Sequence, residues 1–336
     1  MIRHTVLRSL FTLALGLFLS AAAHAQLFRT YIAPDGNDGN PCTLAAPCRL
    51  LPAALAAVID GGEIWMLGSA NYNTSPVNIA KSVTILAVPG ALGSVVAIGG
   101  NAINIATAGV KVSLRNLVIV PFVGGAGVNG IYMTAGASLT VENCLIANLP
   151  GSGIVATGVM NVLVTDSTVR GNGGNGLYFQ NGARATVTRT TVSGNSLVGI
   201  HVVGTTAITT TADIADSTIS TNNYGVYAYS TNAGAVIKVS VHDSRALGNA
   251  LYGVAAVSNA GAPVTVSVSN NIISNNSTGI WAQSPGARVW ASGNTVSDNF
   301  NGLYNSSSAL FESAGDNAVR NNTTQTTGTI TAISKM

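Results

Sequence analysis

Arg189, Asp216 and Asp243 fall at one position of an internal repeat, 27 residues apart, and His242 and Arg245 flank the last of them. If successive repeats stack as neighbouring strands do, the two carboxylates stand about 5 Å apart and repel. Such a pair shares a proton, binds Ca²⁺, or is neutralised by an arginine. A carboxylate in that setting is what a lyase or a glycoside hydrolase uses to abstract or donate a proton. The same position holds Asn116, Asn143, Asn270 and Gly293 in other repeats. Short polar side chains of this kind bond to turn backbone, which favours a turn-forming role for the two aspartates over a catalytic one. His242 has no second His at metal-ligand spacing, and no Cys/His cluster occurs anywhere. No metal site and no cofactor is therefore expected, with Ca²⁺ entering only under the lyase alternative.

A second set of residues suits recognition rather than turnover. One column of the repeat reads Tyr132, Val155, Tyr178, His201, Tyr227, Ala255, Trp281 and Tyr304, with Tyr229 and Gln283 two residues further along the same face. Strand alternation points this column outward. Tyr and Trp beside polar neighbours suit the apolar faces of sugar rings, so the stripe is the best binding surface the sequence offers. The competing reading is a ladder of rings that stabilises neighbouring strands, and the sequence favours it.

Both sets are positioned by the repeat. Within residues 161–211 two blocks lie 23 residues apart. The first is Asn161-Val162-Leu163-Val164-Thr165-Asp166-Ser167-Thr168-Val169-Arg170-Gly171-Asn172, and the second runs from Arg184 to Asn195 with every apolar position kept. From Lys111 onward each step of the repeat is either 23 or 27 residues. One column is Asn172, Asn195, Asn222, Asn249, Asn276, Asn299 and Asn322. Another is Gly-aliphatic, as in Gly176-Leu177, Gly199-Ile200 and Gly279-Ile280. A period in this range means a solenoid, a propeller or an array. Apolar and polar residues alternate, β-branched residues dominate, and each repeat has room for about three short strands, which excludes a four-stranded blade. The expected fold is all-β: a right-handed parallel β-helix in which each repeat is one coil. The Asn column is expected at the turns, where Asn tolerates left-handed backbone and its amide reaches the coils above and below. Residues 52–59 form a helix candidate, opened by Pro52 and stopped by Gly61-Gly62, that covers the first sheet edge.

Composition agrees. Of 336 residues, 47% are hydrophobic and only 8% charged, with 38 Gly, which fits a β-rich repeat and excludes disorder. A net charge of +3, part of it from Arg3 and Arg8, leaves no basic stripe for nucleic acid and implies no strong attraction to anionic polymers. Residues 1–25 read as a secretory signal: Arg3 and Arg8, an apolar run from Leu10 to Leu19, and Ala23-His24-Ala25 before Gln26. The run is too short to span a membrane, and no later stretch is long and apolar enough. The expected organisation is a leader over 1–25, an N-terminal segment with a capping helix and first coils over 26–110, and repeated coils over 111–336. The protein is expected outside the cytoplasm, secreted or periplasmic, as a monomer. In an oxidising compartment Cys42 and Cys48 are natural partners, bracketing a short loop, and Cys144 is a small buried residue.

The N-terminal segment carries a resemblance. Tyr31-Ile32-Ala33-Pro34-Asp35-Gly36-Asn37-Asp38-Gly39-Asn40-Pro41-Cys42-Thr43, followed by Ala46-Pro47-Cys48-Arg49, resembles the start of secreted bacterial right-handed parallel β-helix repeat proteins, related in fold to pectin lyases. Leu50-Leu51 departs from the Thr-aromatic pair usual there. The resemblance implies the fold. It carries over no active site, because the Arg-x-Pro-x-x-Arg run of pectate lyases and the Asn-Thr-Asp, Asp-Asp and Gly-His-Gly motifs of polygalacturonases are absent. The expected function is an exported scaffold that binds carbohydrate or another surface polymer through the aromatic stripe, a polysaccharide or cell-surface glycan being the partner. The alternative is a polysaccharide lyase or glycoside hydrolase of the same fold.

Overall fold

The computed structural model describes residues 27–259 and 261–334, and the expected leader over residues 1–25 lies outside them. Three parallel sheets run along the chain: sheet I with 13 strands, sheets II and III with 11 each. Each coil feeds them in turn. Ala183–Thr188 lies in sheet I, Thr191–Ser193 in sheet II and Val198–Gly204 in sheet III, and the next coil repeats the order with Thr209–Ala215, Thr218–Ser220 and Tyr224–Ser230. Equivalent residues pair in register, as in Val164↔Val187↔Ile214 and Leu177↔Ile200↔Val226. These inward side chains have no exposed surface. The fold is a parallel β-helix, and β-branched residues at alternate positions produce it because only one face of each strand can be buried.

Both turns that flank a short strand of sheet II use one device. Between sheets I and II, Asn116, Asn143, Asp166, Arg189, Asp216, Asp243 and Asn270 have φ of 46° to 57°. Between sheets II and III, Asn148, Gly171, Gly194, Thr221, Gly248, Asn275, Asp298 and Asn321 have φ of 55° to 64°. From Asp166 onward each residue with left-handed backbone is followed by a buried polar one, whereas Leu117, Cys144 and Leu149 take that place in the first coils. The Asn ladder is that second residue. It was expected to take the left-handed conformation itself, but the residue before it does so. The reason is geometric: the left-handed residue turns the next N–H toward the interior, where it needs an acceptor. A side-chain oxygen from the following coil supplies it. Asn195 N–H donates to Asn222 Oδ1 at 3.0 Å, Asn222 N–H to Asn249 Oδ1 at 3.1 Å and Asn249 N–H to Asn276 Oδ1 at 2.9 Å. The first turn repeats the scheme along Cys144, Ser167, Thr190, Ser217, Ser244, Asn271 and Asn294. Cys144 is thus a buried ladder member, and burial pushes its thiol up to about 11. The Gly-aliphatic column has its own cause. A Cβ on Gly199 would lie 2.8 Å from the Gly225 carbonyl oxygen and 2.7 Å from Ile219 Cγ2.

At the N-terminal end a helix, α1 (Leu51–Ala57), buries Leu51, Ala54 and Leu55, with Pro52 in its first turn. It ends earlier than expected. Val58 already begins the strand Val58–Met66, and Gly61-Gly62 lie within that strand at a register shift, not at a helix stop. Among the described residues no helix is long and apolar enough to cross a membrane. Cys42 and Cys48 are disulfide-bonded with Cα atoms 4.6 Å apart, holding the loop whose Cys42 carbonyl accepts from Tyr31 N–H. Alkylation of the native, unreduced protein followed by mass spectrometry is expected to leave Cys42 and Cys48 unmodified. Modification of both without a reductant contradicts the bond.

Candidate functional site

The aromatic column is a continuous stack of rings on sheet III. Tyr178 meets His201 at 5.2 Å between centroids, and His201 meets Tyr227 at 5.4 Å. At Ala255, fully covered, the stack detours through Tyr224 and Tyr252 before reaching Trp281 at 4.2 Å and Tyr304 at 6.4 Å. Tyr229 joins Tyr227 at 5.6 Å. Tyr224 and Tyr252 escaped the sequence reading although each directly precedes the glycine of a Gly-aliphatic pair. Tyr132 is cut off from the stack by Val155. Burial holds the His201 imidazole down at about 4, so it is neutral at pH 7, and its Nε2 is buried without a partner. Burial likewise raises the Tyr227 hydroxyl well above the ordinary tyrosine range. The rings pack against one another, Tyr252 on Trp281 only 20° from parallel, so faces that would carry a sugar are turned toward their neighbours.

The charged cluster separates into two parts. Arg189 does not join Asp216 and Asp243. It clamps Asp166 with two bonds of 2.7 and 2.8 Å, and with Thr165 it holds the Asp166 carboxyl down at about 2. His242 lies between carboxylates: Nδ1 is 3.0 Å from Asp243 Oδ2 and Nε2 is 3.4 Å from Asp213 Oδ1. The hydrogen bond to Asp243, and then the charge of Asp213, raise the imidazole above its ordinary value. Asp216 and Arg245 enter no side-chain bond or ion pair among the described residues. Asp216 and Asp243 share the left-handed turn geometry of Asn116 and Asn270, as a turn-forming role requires.

A different surface is concave. A trough of about 850 Å³ runs across seven strands of sheet I, from Ser138–Glu142 to Ala287–Ser292. Its floor is low because most outward residues are short, namely Ser138, Thr140, Thr186, Thr211, Ser240, Thr265 and Ser267, with Asn161 and Leu163 between them. Arg184, Lys238 and Asp213 rise along it, and Trp290 closes one end. Trp290 is 43% exposed, and its ring makes no aromatic contact or hydrogen bond among the described residues. None of these four was singled out from the sequence. They sit on ordinary alternating strands, and only the register that lines up short side chains between them reveals a trough.

Comparison with known proteins places the fold. Among solved structures, pectate lyase Pel9A superposes with a TM-score of 0.62 at 16% identity, covering 84% of this chain and 76% of that one. The polygalacturonase from Erwinia carotovora ssp. carotovora gives 0.55 at 11% identity, covering 84% and 92%. The A-module of the Azotobacter vinelandii mannuronan C-5 epimerase AlgE6 gives 0.52 at 16% identity, covering 92% and 98%. No curated protein matches. Residues 101–267 and 209–333, together well over half of the chain, match the family described as the right handed beta helix region, and the chain belongs to that family.

Proposed function

We propose that the protein is an exported scaffold that binds a glycan in the trough of sheet I. The observation that carries this reading is Trp290, an indole with a free face at the end of a trough floored by hydroxyls. Hydroxyl-lined floors with one aromatic platform suit sugar rings, whose faces are apolar and whose edges are polar. The stack on sheet III is a weaker candidate because its ring faces are engaged with each other, and its contribution is to hold neighbouring coils together. The leader pattern and the Cys42–Cys48 bond support export, since disulfides persist in oxidising compartments. Enzymes that share the fold are named for polysaccharides, which gives the reading its direction while the trough gives it its argument.

A glycan array followed by titration of the best ligand tests it. Trp290→Ala is expected to weaken binding by at least about tenfold with the fold intact, the usual behaviour of an aromatic anchor. A variant combining Tyr178→Ala, Tyr227→Ala and Trp281→Ala is expected to melt at a lower temperature yet keep its affinity. The reverse pattern moves the site to sheet III. An empty array removes the glycan reading altogether.

A further inference from the structure

Arg184, Lys238 and Arg288 stand at the same outward position of sheet I, linked through Arg184↔Thr211↔Lys238↔Thr265↔Arg288. Cations therefore recur at every second coil, about 9.5 Å apart, with threonine between them. Two other cations on this face, unlike Lys111, have carboxylate partners on an adjacent strand: Arg29 with Glu63 at 2.7 Å and Arg115 with Glu142 at 3.0 Å. Arg184, Lys238 and Arg288 have no ion-pair partner among the described residues, and all three are exposed. Asp213, the carboxylate on the trough wall, faces His242. Arg184 and Lys238 line the trough, and Arg288 stands on its end strand two residues before Trp290. Lys111 lies in the same column three coils before Arg184 on a strand the trough does not reach, so the two-coil interval runs along the trough and onto its end strand.

The near-neutral composition gave no sign of this row. It is a matter of register: each cation is isolated in sequence and becomes one of a line only when coils stack. Cations about 9.5 Å apart lie beyond the Debye length of about 8 Å at physiological salt, so their mutual repulsion is largely screened. A sugar residue in an extended chain advances by close to one coil. We propose that the trough binds an acidic polysaccharide that presents a carboxylate or sulfate to one side at every second residue. The charged residues of such a chain meet Arg184, Lys238 and Arg288, and the uncharged ones lie over Thr211 and Thr265. Trp290, two residues beyond Arg288 on the same strand, takes a ring face at the end of the run.

The proposal rests on the glycan-trough reading, and the experiment separates the two. Calorimetric titration compares four probes: an oligosaccharide of alternating uronate and neutral sugar, the same oligosaccharide with its carboxylates reduced to alcohols, an oligogalacturonate, and a single-stranded oligonucleotide. The alternating oligosaccharide is expected to bind. Carboxyl reduction is expected to cost about tenfold or more, as loss of three complementary charges should. The oligogalacturonate is expected to bind no more tightly, because its extra carboxylates meet no further cation. The decisive variant combines Lys238→Thr with Thr265→Lys, which keeps the net charge and breaks the interval. It should melt like the parent and bind the alternating oligosaccharide about tenfold more weakly. Equal binding of the reduced oligosaccharide overturns the charge inference and leaves the glycan reading standing. Equal affinity of the shifted variant, tighter binding of oligogalacturonate, or equal binding of the oligonucleotide overturns the periodic recognition. Binding of no saccharide at all, with an empty array, removes both.

Discussion

Asn249→Ala is expected to lower the stability of the protein by roughly 1–3 kcal/mol, although it removes a side chain no larger than a leucine and far from the trough. Asn249 is 1% exposed. Its Oδ1 accepts from the backbone N–H and from the Nδ2 of Asn222, both at 3.1 Å. Its Nδ2 donates to the Ile219 carbonyl at 3.2 Å and to Asn276 Oδ1 at 3.0 Å. Alanine leaves the buried Asn222 N–H without its acceptor and removes one of the two bonds of Asn222 Nδ2, which keeps only the Val192 carbonyl, and each buried donor left unpaired costs about 1–3 kcal/mol. Urea unfolding of the single variants and of Asn222→Ala with Asn249→Ala together checks the account. The double variant should cost less than the sum, because removing Asn222 also removes the side-chain amide whose bond Asn249→Ala breaks. Strict additivity, or a midpoint within error of the parent, would show that the ladder is ornament.

The ladder also marks how far the sequence could be read. The fixed spacing of Asn, Gly and alternating Val or Ile positions was enough for the coil, because a coil that buries one face and stacks on its neighbour admits few other patterns. The left-handed turn residues were harder. Their column holds Asn, Asp, Arg and Gly at one turn and Asn, Asp, Gly and Thr at the other, so residue type alone does not identify the conformation. The stripe was visible because aromatic residues are rare enough to stand out. Its ring-to-ring packing, part stacked and part tilted, depends on side-chain orientation, which a column of letters does not carry. The trough was hidden for a related reason. Serine and threonine at outward positions look like ordinary strand surface, and Arg184, Lys238 and Arg288 are scattered over more than 100 residues. They become a surface only through the 27- and 23-residue steps that bring them into line. The pairing of Arg189 with Asp166, not with Asp216, turns on a choice between two neighbouring coils in one column, where spacing offers no preference.

Two substitutions one residue apart should behave oppositely, and this is the largest effect expected of any single change. Val187 is fully buried in register between Val164 and Ile214, which are fully buried as well. Val187→Asp places a carboxylate where no cation and no water can reach it, at an effective cost of several kcal/mol for the ion or a comparable one for forcing it neutral. Domains are stable by only about 5–15 kcal/mol, and the substitution also removes the packing of a valine, worth roughly 1.5–3 kcal/mol. The damage is not confined to one coil. Each coil of a solenoid is held by its two neighbours, so a broken middle coil uncouples the chain on either side of it. Thr186 is exposed on the floor of the trough, paired with Leu163 and Asp213. Thr186→Asp meets solvent, and its partly screened repulsion from Asp213 on the next coil should keep the cost to no more than about 1 kcal/mol. Soluble yield and thermal unfolding followed by circular dichroism separate the pair: no cooperative transition is expected for Val187→Asp, and a parent-like one for Thr186→Asp. Parent-like melting of the first, or equal loss in both, contradicts the assignment of inward and outward faces on which the trough, the cation row and the glycan reading all depend. The second variant carries one further consequence. A carboxylate at position 186 sits beside the line of Arg184, so a trough that takes acidic sugars should bind them less well while its fold is unchanged.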